Sequence, residues 1–103
     1  MRRAANIDAN HRDIVQHLEA IGCSVQSLAT AGRGVPDLLV GRRAVNTLIE
    51  VKNPKKSPKG RALRDTQVAF HLRWRGQVGV AHTPAEAEAI VNAAEKWATG
   101  ENA

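Results

Sequence analysis

Asp37, Glu50 and Lys52 stand in two short apolar runs that would ordinarily exclude charge. The first run is Gly34-Val35-Pro36-Asp37-Leu38-Leu39-Val40-Gly41 and the second is Thr47-Leu48-Ile49-Glu50-Val51-Lys52. Each has the aliphatic content of a short, largely buried strand. Alternate side chains of a strand share a face, so Glu50 and Lys52 point the same way, about 7 Å apart at roughly 3.4 Å per residue. A hairpin with a four-residue loop at 42–45 pairs Gly41 with Asn46 and sets Asp37 across from Glu50. Cross-strand Cβ atoms then lie only about 4.5–5.5 Å apart. Two carboxylates that close repel and shift one another's pKa unless a cation sits between them. Hard Mg²⁺ suits such a pair, because it takes carboxylates, waters and a substrate phosphate oxygen rather than a full protein cage. The backbone carbonyl of Val51 is a candidate further ligand. Lys52 is placed to orient a water and to stabilise charge on phosphoryl oxygens. Taken singly, Pro-Asp is a common turn dipeptide and Glu-x-Lys a solvent-facing ion pair. Together they point to metal-dependent phosphodiester hydrolysis.

The surrounding charge suits an anionic substrate. Lys and Arg number 15 against 10 Asp and Glu, and Lys52, Lys55, Lys56, Lys59, Arg61 and Arg64 follow one another with no acid between them. Neutralising phosphates with such a patch releases condensed counterions; a solvated basic loop is the plainer alternative. With 103 residues, 43 % of them hydrophobic, the chain is expected to form one domain over 1–98 with a polar tail at 99–103. No apolar stretch approaches the roughly 18 residues of a membrane span. Met1-Arg2-Arg3 is followed by polar residues rather than an apolar signal core, so export is not expected. Cys23 is the only cysteine, which excludes an intrachain disulfide and a cysteine-based zinc site. A cytoplasmic location fits these features.

The elements that must position the site follow from periodicity. Ile7, Ile14, Val15, Leu18 and Ile21 form a helical stripe over 7–21, with Asn6 or Asp8 as cap and Gly22 as stop. Strands are expected at 23–28, 37–40 and 47–52. Residues 53–60, with Pro54, Pro58 and Gly60 among lysines, read as an exposed connection. A helix from 65 or 66 to 75 should bury Val68, Ala69, Leu72 and Trp74, ending at Gly76. A fourth strand spans 77–82. Thr83-Pro84-Ala85-Glu86 then opens a last helix with a capping box, with Ala87, Ile90, Val91, Ala94 and Trp97 inward to 98. The result is an α/β fold in the order α-β-β-β-α-β-α, a mixed sheet flanked by helices.

Pro36-Asp37 and Glu50-Val51-Lys52 match the PD-(D/E)xK nuclease signature, and the element order resembles that superfamily's restriction-endonuclease-like core. The chain more closely resembles the small virus-type replication-repair nuclease domain (VRR-NUC), including stand-alone phage and prophage copies. Gly34-Val35-Pro36-Asp37, Ile49-Glu50-Val51-Lys52, the basic loop between Pro54 and Pro58, and Thr66-Gln67 carry that resemblance, which extends from about 8 to 94. It implies Mg²⁺- or Mn²⁺-dependent hydrolysis of DNA, with Asp37 and Glu50 as ligands, Lys52 catalytic and Gln67 beside it. His71, one helical turn on, would face the same way. The family often adds an acid from the first helix. Asp8 is favoured over Glu19, and at about 1.5 Å rise per residue the two lie some 16 Å apart and cannot share one metal. Asp8 as a plain helix cap is the alternative, and without a first-helix acid a single-metal site is expected.

Arg33, Arg42, Arg43, Lys55, Lys56, Lys59, Arg61 and Arg64 are the expected phosphate-binding residues. Phe70, Trp74 and Trp97 are the only aromatic carbocycles. They make a poor stacking platform for single strands, which favours duplex or branched DNA. The resemblance further implies a homodimer, a phage or prophage origin and a bacterial cytoplasm as host. A non-catalytic DNA-binding module on a nuclease-like fold is the alternative, and a small assembly or packaging protein a third. A pure binder has no use for the intact Asp37, Glu50 and Lys52 set.

Overall fold

The computed structural model describes residues 8–100. Its elements are α1 (Ala9–Ala20), β1 (Ser24–Ser27), β2 (Leu38–Arg42), β3 (Val45–Val51), α2 (Pro58–Arg61), α3 (Asp65–Arg73), β4 (Val78–Ala81) and α4 (Pro84–Ala98). The expected α/β order stands, with short α2 as an addition inside the basic connection. The strands lie in the order β1-β2-β3-β4. The first three are antiparallel neighbours, while β4 runs parallel to β3. A parallel neighbour needs a crossover, and the segment carrying α2 and α3 supplies it.

Local chemistry sets the boundaries. Helix α1 stops where Gly22 turns to φ +94°, and Cys23 N–H and Gly22 N–H bond the carbonyls of Leu18 and Glu19. That is a Schellman ending, available to glycine without a Cβ penalty. At the other end Asp8 occupies the cap position, but its carboxylate makes no capping hydrogen bond. Asn6 and Ile7 lie outside the described residues. The β2–β3 hairpin has the expected register, Gly41 opposite Asn46. Its turn is tighter than expected, because Arg42 pairs with Val45 and only Arg43 and Ala44 turn the chain. Both take positive φ, 53° and 64°, which matches the right-handed twist of the flanking strands.

Pairing of Leu38 with Ile49 and of Val40 with Thr47 puts these side chains on one sheet face. Leu38, Val40 and Ile49 form the core under α1 and α4 with Ile14, Leu18, Cys23, Ala81, Ala87 and Val91. The opposite face carries Leu39, Leu48 and Glu50, and α3 crosses it. Here the burial expected of α3 fails. Val68, Ala69, Leu72 and Trp74 are exposed, Leu72 at 82 %, and α3 instead turns Gln67 and Phe70 inward. Trp74 stacks on Phe70 at 5.1 Å between ring centroids. That helix ends at Arg73, ahead of Gly76. Trp97 of α4 is also outward, at 62 % exposure, whereas Glu95 is buried. The Thr83 cap accepts from Glu86 N–H at 3.1 Å. Its reciprocal bond is displaced by one residue: the Glu86 carboxylate accepts from His82 N–H, not from Thr83.

Candidate active site

Asp37 reaches the end of β2 through a loop pressed against α3. Gly34 adopts φ +78°, and a Cβ there would meet the Thr66 carbonyl oxygen at 2.1 Å. Only glycine permits that approach. Pro36 is buried, and Asp37 is held by its carbonyl, which accepts from Leu28 N–H at 2.7 Å. The Asp37 carboxylate accepts from Val51 N–H at 2.9 Å. Continuing the β2–β3 register sets Asp37 opposite Glu50 and Val51 opposite Pro36. Proline has no N–H, so it offers no ladder bond to the Val51 carbonyl.

Glu50 is only 3 % exposed. Oε2 accepts from Gln67 Nε2 at 3.1 Å, while buried Oε1 has no partner. Burial, first, and then the Asp37 charge push the Glu50 carboxyl up to about 8, with a hydrogen bond to Asp37 adding to it. Lys52 and Arg64 pull in the opposite direction and do not cancel it. The pair is therefore an unresolved repulsion that protonation relieves in the metal-free protein.

Gln67 ties the remaining groups together. Its Oε1 accepts from Lys52 Nζ at 2.9 Å and from Arg64 N–H at 2.8 Å, while its Nε2 serves Glu50. Lys52 Nζ lies 3.9 Å from Glu50 Oε2. One amide thus fixes the lysine, the buried acid and the first turn of α3. His71 does not join this network: its Nε2 is buried with no hydrogen-bond partner, and burial lowers its pKa. Asn10, which sequence reasoning missed, closes the site from α1. Its Nδ2 donates to the carbonyls of Lys52 at 3.0 Å and His82 at 3.3 Å. An asparagine in a first helical turn gives no sign in the sequence of bridging residues 42 and 72 positions away.

The donor set fits a hard divalent cation. Glu50 Oε1 is a buried anionic oxygen without a donor, Asp37 stands beside it, and the Val51 carbonyl lacks a strand partner from Pro36. A cation also removes the repulsion that raises Glu50, and Mg²⁺ needs few protein ligands. Among the described residues no group of three or more His, Cys, Asp or Glu side chains gathers. Neither Asp8 nor Glu19 therefore joins Asp37 and Glu50 in a three-acid cluster.

The expected phosphate-binding residues divide into two sets. Lys55, Lys56, Lys59, Arg61 and Arg64 lie on the segment that leaves β3 beside Lys52, and Lys52, Ser57, Lys59, Gly60, Ala62 and Arg64 line a cleft of about 460 Å³. Arg33 is exposed on the Gly34 loop at φ +58°. Arg42 and Arg43 are elsewhere, at the hairpin end of β2, about 17 Å from Asp37 by strand rise. Arg42 is turned to the helical face, where Nε meets Glu95 Oε2 at 2.6 Å and Nη2 meets Asn92 at 2.8 Å. Its hydrogen bonds hold the Glu95 carboxyl below its ordinary pKa. Arg43 is 75 % exposed and reaches the same Glu95 at 3.2 Å. Arg42, expected at phosphate, is thus engaged by an acid on the helical face.

No helix among the described residues is long and apolar enough to cross a membrane. No protein-family model and no curated protein matches the chain. A solved structure described as a VRR_NUC domain does, at 29 % sequence identity and a TM-score of 0.59, over 79 % of this chain and 88 % of that one. By fold and by sequence likeness over that span, the chain has the architecture of a VRR-NUC domain, a nuclease-type fold.

Proposed function

We propose that this chain hydrolyses phosphodiester bonds of DNA with the help of one Mg²⁺ or Mn²⁺ ion. The observation that carries the proposal is the buried Glu50 carboxylate, with a donorless Oε1, set beside Asp37. Asp37, Glu50 and the Val51 carbonyl are the groups that would hold the cation. When bound, such an ion polarises the phosphodiester and makes a coordinated water more acidic.

The chain's own residues do the rest. Asp37 is steered by its bond from Val51 N–H, and Glu50 by its bond from Gln67. Lys52 is catalytic: held by Gln67 Oε1, it presents its ammonium where negative charge builds on the phosphoryl oxygens. Gln67 positions both Lys52 and Glu50. Arg33, Lys55, Lys56, Lys59, Arg61 and Arg64 bind the backbone of the substrate, while Arg42 and Arg43 brace the far end of the sheet. Backbone binding on a basic face, rather than base stacking, favours duplex and branched DNA, four-way junctions and flaps included. A homodimer would present two such centres to two strands. Action in the cytoplasm of a bacterial host, from a phage or prophage gene, completes the proposal.

Labelled duplex, single-strand, flap and four-way-junction substrates test it, with Mg²⁺ or Mn²⁺ and with wild type beside Lys52→Ala. Metal-dependent products from the wild type and none from the variant are expected. Binding without cutting in either metal would replace the nuclease with a DNA-binding module.

A further inference from the structure

We propose that the cleft beside Lys52 is a subsite for one non-scissile phosphate of the bound strand, gripped jointly by Lys59 and Arg64. The inference rests on the phosphodiester-hydrolase reading and names which cations set the substrate's register.

Charge and shape support it. The lining residues Lys52, Ser57, Lys59, Gly60, Ala62 and Arg64 include no acid. Neither Lys59 nor Arg64 forms an ion pair among the described residues. The neighbouring cations are already engaged: Lys52 Nζ is taken by Gln67 and lies near Glu50, and Arg61 donates to the Lys56 carbonyl at 2.8 Å. Two cations without an ion pair among the described residues therefore line one cleft, Arg64 also within electrostatic reach of Glu50. Its volume of about 460 Å³ falls within the roughly 300–1,000 Å³ of small-ligand sites, room for a nucleotide unit rather than a bare ion.

The walls are held in place. Ser57 Oγ accepts from Gly60 N–H at 3.2 Å, and the Arg61 bond to Lys56 closes the same segment. Arg64 N–H is fixed to Gln67 Oε1, the atom that also holds Lys52. The cleft and the reacting end of the site thus share one side chain, which sets the spacing between the phosphate that is held and the phosphate that is cut.

Duplex binding measured by fluorescence anisotropy between 50 and 200 mM NaCl, without divalent cation, separates this subsite from catalysis. The slope of log K against log salt falls by about 0.9 for each phosphate that is no longer neutralised. Lys59→Ala and Arg64→Ala are each expected to weaken binding about tenfold while leaving the slope close to wild type, because the remaining cation still neutralises the phosphate. The double variant is expected to lower the slope by about 0.9, the amount for one phosphate. Lys96→Ala, an exposed cation on α4, is the charge-matched control and keeps the wild-type slope and affinity. A fall of about 0.9 in each single variant and about 1.8 in the double, or a wild-type slope in the double variant, would overturn the shared subsite. Cleavage run in parallel with Mg²⁺ distinguishes the failures. A wild-type slope in the double variant with wild-type cutting intact rejects the subsite alone, and the expected slopes without cutting by the wild type reject the hydrolase and keep the phosphate site.

Discussion

Glu50 is costly to the metal-free protein. Its folded pKa of about 8 lies above the ordinary 4.5, so the folded state holds the proton more tightly than the unfolded chain does. Below about 4.5 both states are protonated and the acid costs nothing. As pH rises to 8 the unfolded chain ionises first, and stability falls across that window. Glu50→Gln should therefore raise the metal-free melting temperature at pH 8 and leave it nearly unchanged at pH 4, with a gain at pH 8 of roughly 1–3 kcal/mol. Thermal unfolding at both pH values, with and without Mg²⁺, checks this. Added Mg²⁺ should stabilise the wild type and not the variant. Asp37, Glu50 and Lys52 were legible in the sequence because each is an ionisable residue in an apolar run, an anomaly that packing alone does not explain. Asn10 was not, since its role lies wholly in which distant carbonyls it meets.

The hairpin and α3 show what periodicity can and cannot say about elements. The β2–β3 register follows from the requirement that Leu38, Val40 and Ile49 share the core face, a constraint visible in the chain. The length of the turn does not follow, because Arg43 and Ala44 are not residues that advertise positive φ. A non-glycine residue in that region costs about 1–2 kcal/mol. Ala44→Gly should recover about 1 kcal/mol of that, after the added freedom of the unfolded chain is counted, without altering DNA binding; urea denaturation and anisotropy report the two halves. In α3 the apolar residues Val68, Ala69 and Leu72 suggested the wrong face. The inward positions are Gln67 and Phe70 because the sheet below them carries Lys52 and the buried Glu50, whose polar groups an amide can satisfy and a methyl group cannot. The short α2 escaped notice for a simpler reason: four residues are too few for a helical period to emerge.

Across the whole molecule, charge is segregated by role. At one end of the sheet the cations of the 55–64 segment are mostly unpaired and face outward; at the other, Arg42 is consumed by Glu95. Arg42→Ala leaves Glu95 with only the exposed Arg43, and a loss of about 1–3 kcal/mol is expected in urea denaturation with DNA affinity at low salt unchanged. The pairing joins residues 53 positions apart, beyond the reach of local sequence patterns, which is why Arg42 read as one more basic residue. Layer order and the mixed sheet were legible, since they need only the succession of element types.

The Asn10 bridge also sets a timetable. Asp37, Glu50, Lys52 and Gln67 have all been polymerised before Val78 is added. Yet β3 lacks its parallel neighbour until β4 exists, and Asn10 lacks its second carbonyl until His82 exists. Synthesis proceeds from the N-terminus, so a nascent chain carries these four side chains for about 1–3 seconds before the framework that aligns them. The site geometry is confined to the finished molecule by the position of its last strand.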